Sequence, residues 1–153
     1  MFKTTGLLSI GLPDSVTDIK YYAFGDCQDL STADIPASVS AVSNRAFVNC
    51  GSLISVNLPG VKTVGPYAFN NCSSLTATEF SDELTEIGEG AFKYAKALLS
   101  VCVPDSVSSL GGAVFYGCKR LEKATLPDNI TSIGDTGFKE CANLKSINLP
   151  KQL

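Results

Sequence analysis

The reactive side chains in this chain of 153 residues are six cysteines, five tyrosines and a local run of carboxylates, with no histidine and no tryptophan. Lacking histidine, the chain cannot build a Ser-His-Asp triad, a Cys-His nucleophile pair or an HExxH zinc site. Three uses remain for Cys27, Cys50, Cys72, Cys102, Cys118 and Cys141. A zinc site needs closely spaced pairs converging on one point, and no C-x₂-C pair is present. A thiolate nucleophile needs an activating histidine or a local cation. A disulfide framework needs sulfurs that face one another, which depends on the elements that carry them. Among the acids, Glu79, Asp82, Glu83, Glu86 and Glu89 lie close together without the spacing of a calcium loop, and read as a solvated turn.

Those elements follow from an internal repeat. Phe24, Phe47, Phe69, Phe92, Phe115 and Phe138 are separated by steps of 23, 22, 23, 23 and 23 residues. Pro13, Pro36, Pro59, Pro104, Pro127 and Pro150 recur in the same register, with Ser81 filling the one vacancy. Three residues after each Phe stands Cys27, Cys50, Cys72, Ala95, Cys118 or Cys141, and three further on a leucine, from Leu30 to Leu144. Independent columns in phase over six copies mark a tandem repeat of about 23 residues. The short copy lacks one residue near Gly60. This places the deletion in a surface turn, where glycine absorbs the tightening.

Within a unit, stretches such as Leu53-Ile54-Ser55-Val56-Asn57-Leu58 alternate apolar and polar positions with the period of a half-buried strand. The following proline ends the strand because it cannot donate to a ladder. A second apolar pair at i, i+3 follows, as in Val16/Ile19, Val39/Val42 and Val107/Leu110. The Ala-Phe-x-x-Cys-x-x-Leu stretch is too short for an independent helix and reads as a single helical or 3₁₀ turn. One such coil cannot bury its own apolar face. Stacking coils at the ~4.8 Å strand spacing does so, placing equivalent residues above one another. The expected architecture is a right-handed β-solenoid, with one parallel strand per coil and short helical turns on the convex side.

In that stack, equivalent cysteines have parallel Cβ vectors about 4.8 Å apart, whereas a disulfide wants ~3.8 Å. The column therefore reads as small buried hydrophobes, interchangeable with Ala95. Cys102 is different. It occupies the fifth position of Leu98-Leu99-Ser100-Val101-Cys102-Val103, a solvent-facing site. Tyr21, Tyr22, Tyr67, Tyr94 and Tyr116 flank the Phe column and read as caps on the core edge with their hydroxyls in water. Asn71-Cys72-Ser73 and Asn129-Ile130-Thr131 fit the N-glycosylation pattern, and both read as accidental matches.

The L-x-x-L-x-L strand followed by P-x-x-V-x-x-I-x-x-x-A-F-x-x-C-x-x-L resembles the leucine-rich repeat of the BspA, or Treponema pallidum, type. The resemblance runs from about Leu7 to Leu149. The departures (Ala95, Ser81, Phe80 for Leu, and Val114 and Gly137 for Ala) keep size or fall in turns. It implies a leucine-rich-repeat solenoid or horseshoe forming a single domain over residues 1–153, with about six full repeats and partial ones at both ends. It also implies a non-catalytic module of a cell-surface or secreted protein that adheres to host matrix proteins or other cells. No cofactor is implied.

The exposed sheet face is the usual binding surface of a solenoid. The candidate contact residues on this concave face are Thr32, Asp34, Ser55, Asn57, Glu79 and Ser100, continuing with Cys102, Lys123, Thr125, Ser146 and Asn148. They are small, polar and nearly neutral, without the Trp, Tyr and Arg clusters that anchor tight interfaces. Weak binding strengthened by many repeats fits such a surface. The alternative is a structural spacer in a longer array with no ligand of its own. Twelve Lys and Arg against fifteen Asp and Glu, with no basic run, disfavour nucleic acid. No apolar stretch approaches the ~20 residues that would insert in a bilayer, and no signal peptide is legible at the start. Partial repeats without polar caps at both ends predict a longer array or self-association through those ends.

Overall fold

The computed structural model describes residue 2, residues 5–151 and residue 153. It is a parallel β-solenoid of about six turns. Thirteen short strands alternate between two ladders among the described residues. The first part of the chain carries β1 (Ser9–Gly11), β2 (Asp18–Ile19), β3 (Thr32–Asp34), β4 (Ala41–Val42), β5 (Ser55–Leu58) and β6 (Thr63–Val64). Then follow β7 (Ala77–Phe80), β8 (Glu86–Ile87), β9 (Ser100–Cys102), β10 (Ser109–Leu110), β11 (Lys123–Thr125), β12 (Ser132–Ile133) and β13 (Ser146–Ile147).

The odd-numbered strands form the expected sheet, paired in register as Thr32 to Ser55, Val56 to Thr78 and Lys123 to Ser146. The even-numbered strands add a second ladder that runs unbroken from β2 to β12. The second residue of each apolar i, i+3 pair, such as Ile19, Val42 and Leu110, lies in this ladder. Its two-residue strands are too short for an alternating pattern to show in the sequence.

The main sheet is interrupted between β7 and β9. Here Phe80 stands where other coils have an aliphatic residue, and its ring meets Phe92 edge-on at 5.6 Å. The inward-facing Thr78 keeps a buried hydroxyl oxygen without a hydrogen-bond partner. A bulkier ring and a polar inward residue are accommodated where the ladder opens. Ser81, in place of proline, accepts a hydrogen bond from the Glu83 N–H at 3.0 Å and so shapes the same turn.

The core is a set of columns. Phe24 to Phe138 form a continuous stack with centroid separations of 5.1 to 5.7 Å. These exceed the ~4.8 Å coil spacing, so the rings are laterally offset, the arrangement their quadrupoles favour. Phe2 extends the stack at 5.3 Å from Phe24. Its spacing of 22 residues is the step already present between Phe47 and Phe69. Full burial of an inner ring such as Phe47, Phe69, Phe92 or Phe115 contributes on the order of 1.5–3 kcal/mol, whereas Phe2 is exposed and Phe138 half-buried at the ends of the stack.

The expected helical turn beside the Phe column does not form, and no helix occurs among the described residues. Instead the N–H groups alternate in direction. Ala23, Gly25 and Cys27 donate back to Lys20, Tyr22 and Phe24, while Phe24 and Asp26 donate across to Ala46 and Val48 of the next coil at 2.8 Å. A helix would turn every N–H inward and leave the neighbouring coil unpaired. The alternation is achieved by left-handed residues two before and two after each Phe, among them Tyr22 and Asp26, Arg45 and Asn49, and Gly90 and Tyr94. Gly60, at the shortened copy, has a different reason for its identity. An added Cβ there would lie 1.9 Å from the Ala37 carbonyl oxygen, so close approach rather than a special φ requires glycine.

Candidate interaction surface

The strands present their third and fifth residues outward because those positions alternate with the buried ones. Thr32, Asp34, Ser55, Asn57 and Glu79 are all exposed on the first sheet. Asn57 sits opposite Glu79, and Asp34 extends the row onto β3. The row borders a cleft of about 450 Å³ lined also by exposed Pro59, half-buried Phe80 and Asp82, with the buried Ile35 and Leu58 at its floor. On the second sheet, Ser100, Cys102, Lys123 and Ser146 are exposed, and Thr125 is half-buried opposite Cys102. Asn148 is engaged with the backbone. Its Nδ2 donates to the Leu126 carbonyl and its Oδ1 accepts from the Leu126 N–H, both at 2.7 Å, replacing a ladder pair that β13 is too short to make. The exposed residues along this face are acidic over β3, β5 and β7 and mixed over β9, β11 and β13.

The buried thiols have more to do than fill space. The Sγ atoms of Cys27, Cys50, Cys72, Cys118 and Cys141 donate to the carbonyls of Phe2, Phe24, Phe47, Phe92 and Phe115 at 3.1 to 3.3 Å. Each bond runs to the preceding coil and ties the Cys column to the Phe column. Burial pushes the Cys72 thiol well above its ordinary range, and the neighbouring Cys141 thiol together with burial pushes Cys118 up. Cys72 and Cys118 are thereby held as thiols, unsuited to act as nucleophiles, whereas the hydrogen bond with Cys118 lowers the Cys141 thiol. Cys102 lies outside the column and is exposed.

The repeat pattern described as the BspA type leucine rich repeat region matches residues 1–122 and 85–153, in six copies. The chain belongs to the BspA-type leucine-rich repeat family. Solved structures agree. A leucine-rich repeat protein from Bacteroides ovatus is 34% identical with a TM-score of 0.91, covering 99% of this chain and 39% of its own. A T. pallidum leucine-rich repeat protein is 31% identical with a TM-score of 0.75, covering 95% and 60%. A leucine-rich cell surface protein from Faecalibacterium prausnitzii is 29% identical with a TM-score of 0.76, covering 96% and 49%. The chain thus spans between about two fifths and three fifths of the length of these proteins. No curated protein sequence matches it.

In this BspA-type chain the tyrosines are not merely capping. Tyr22 donates to Asp26, Tyr67 to Glu89 and Tyr116 to Glu140, the last two partners lying on the following coil. The hydrogen bond to Asp26, with burial, pushes Tyr22 up to about 12, and the Glu140 carboxylate does the same for Tyr116. An amide ladder runs beside them: Asn49 donates to Asp26 at 2.7 Å and Asn71 to Asn49 at 3.2 Å. Four of these links span 22 to 24 residues, one step of the solenoid, and only Tyr22 to Asp26 lies within a coil. The Tyr67–Glu89, Tyr116–Glu140 and Asn49–Asp26 links were hidden in the sequence because the partners differ in residue type. Of the acidic group, Glu83 pairs with Lys62 at 3.0 Å and Glu89 is held by Tyr67. Asn71 and Asn129 donate their amides to Asn49 and to the Asp105 carbonyl, and the middle residue of each glycosylation triplet, Cys72 and Ile130, is buried.

Proposed function

We propose that this chain is a non-catalytic, protein-binding segment of a cell-surface or secreted protein, adhering to host matrix proteins or to other cells through its sheet face. The leucine-rich repeat is a protein-interaction type of fold. The observation that carries the reading is the row Asp34, Asn57 and Glu79, three exposed polar side chains aligned along a cleft whose accessible apolar surface comes from exposed Pro59 and half-buried Phe80. Polar residues around an apolar centre are the ordinary anatomy of a recognition patch. The likeness to a cell surface protein supports the location. The chemistry supports a non-catalytic role: no histidine is present, and the core thiols and the tyrosine hydroxyls of Tyr22, Tyr67 and Tyr116 are occupied in structural bonds.

The test is the combined variant Asp34→Ala, Asn57→Ala, Glu79→Ala, assayed on immobilised matrix proteins and on intact cells. Loss of adhesion with an unchanged melting curve supports the reading. Adhesion that survives in the variant overturns the assignment to the sheet face, and adhesion that neither chain shows favours a spacer role instead.

A further inference from the structure

Charge is segregated along the solenoid. Residues 1–90 carry four Lys or Arg against ten Asp or Glu, whereas residues 91–153 carry eight against five. Five of those eight cations, Lys93, Lys96, Lys119, Arg120 and Lys139, fall within five residues after the Phe of three consecutive coils. They gather on the turn edge, away from the sheet row described above. Lys96 and Lys119 occupy the same position in adjacent coils and stand one above the other. Both are exposed, as are Arg120 and Lys139, and none of these four forms an ion pair among the described residues. Lys93 is committed, lying 5.3 Å from the Tyr94 ring centre and 4.9 Å from that of Tyr116.

Lys96 and Lys119 line a groove of about 460 Å³ with Tyr94 and the amides of Asn49, Asn70 and Asn71, closed at one end by Glu140. Tyr116 already holds the Glu140 carboxylate. The lining residues come from five successive coils, so the groove extends along the solenoid axis for roughly 19 Å at the strand spacing. That shape fits a linear chain. The Asn70 amide makes no hydrogen bond among the described residues, leaving donors and an acceptor free for a ligand.

We propose that this groove binds an acidic saccharide chain laid along the solenoid axis, its carboxylate or sulfate groups on Lys96 and Lys119 and its hydroxyls on the asparagine amides. Ammonium groups supply charge-assisted bonds to the anions, and amides pair with hydroxyls as both donor and acceptor. An acidic peptide would want anchor pockets built from aliphatic or Phe side chains, and no Leu, Ile, Val, Met or Phe lines the groove. A single-stranded nucleic acid would want open aromatic faces for its bases. The Tyr94 ring is instead flanked by the Lys93 ammonium and the edge-on Tyr116 ring, 5.5 Å away.

The experiment titrates the full chain at low salt with oligosaccharides of hyaluronan (carboxylate only) and chondroitin sulfate (carboxylate and sulfate), with neutral dextran and poly-glutamate as comparators. Binding of either acidic saccharide, falling with added NaCl, is the expected result, and which one binds identifies the anion. Lys96→Ala with Lys119→Ala should weaken it by roughly tenfold or more, with an unchanged circular dichroism spectrum and melting point. Asn70→Ala should weaken it as well. The Asp34, Asn57, Glu79 variant should bind the saccharide normally, which separates this groove from the sheet face. The proposal is overturned if neither acidic saccharide binds, if poly-glutamate binds as tightly, or if the double lysine variant retains its affinity.

Discussion

The thiol of Cys50 donates to the carbonyl oxygen of Phe24 at 3.2 Å, across 26 residues of chain and one step of the solenoid. The same link recurs at Cys27, Cys72, Cys118 and Cys141, and is missing only where Ala95 interrupts the column. Cys50→Ala should therefore lower unfolding stability by about 1–2 kcal/mol through lost volume and a lost donor. Ala95→Cys should raise it by about 0.5–1 kcal/mol. Urea unfolding of both variants, beside Cys50→Val, separates volume from hydrogen bonding. A valine variant as stable as the parent would show that the thiol bond contributes nothing.

Cys102 is the one thiol of the six on the exposed sheet surface, whereas Cys141 is half-buried and the other four are buried. Brief iodoacetamide treatment of the native protein should label Cys102 first and Cys141 more slowly. The remaining four should react only after denaturation. Peptide mass mapping reads this directly, and labelling of Cys50 or Cys72 ahead of Cys102 would contradict the strand register.

Gly60→Ala tests the shortened coil. Its new methyl group would sit 1.9 Å from the Ala37 carbonyl, and because backbone lies on both sides of the contact, neither can rotate away. A loss of about 1–3 kcal/mol is expected, the range of an overpacked core. Gly51→Ala serves as the control, since a Cβ there meets nothing closer than 3.8 Å. Equal melting points for the two variants would refute the close approach.

The tyrosine–carboxylate pairs predict an alkaline limit. Tyr22 and Tyr116 are pushed from 10.0 to about 12 in the folded chain. A pKa raised by folding means that the unfolded chain releases its proton first as pH rises. The stabilisation is therefore complete below about pH 10 and is lost progressively towards pH 12. Absorbance titration of the native protein should show a delayed phase that shrinks in Tyr22→Phe with Tyr116→Phe, the remainder belonging to Tyr67, which its bond to Glu89 also pushes up. The same double variant should lose less stability between pH 9 and 11.5 than the parent. An unchanged titration curve would mean that these hydroxyls are not bonded to Asp26 and Glu140.

How much was legible in the sequence varies by element. The strands around Val56 and Val101 and the buried Phe, Cys and Leu columns follow from periodicity, because a repeat of 23 residues aligns like with like in every copy. The outward orientation of Asp34, Asn57 and Cys102 follows from the same alternation. The turn between Tyr22 and Cys27 does not. At its left-handed positions over the six coils stand ten Tyr, Asp, Arg, Asn, Thr, Glu or Ala residues and only two glycines, so residue type carries no signal for the conformation. What imposes it is the neighbouring coil, whose carbonyls at Ala46 and Val48 require the N–H groups of Phe24 and Asp26 to point across.

The chain by itself thus determined its repeat length, its family, its buried columns and the absence of histidine chemistry, since each of these is a matter of residue type at a fixed interval. Only the tertiary structure decided which unlike residues meet between coils: Cys50 with the Phe24 carbonyl, Tyr67 with Glu89, and Asn49 with Asp26. Those contacts depend on stacking at one strand spacing, which brings residues 22 to 26 positions apart together whatever their identity. The thiols belong to the same account. Their spacing announced a column, but the backbone oxygen each one reaches exists as a partner only once the coils are stacked.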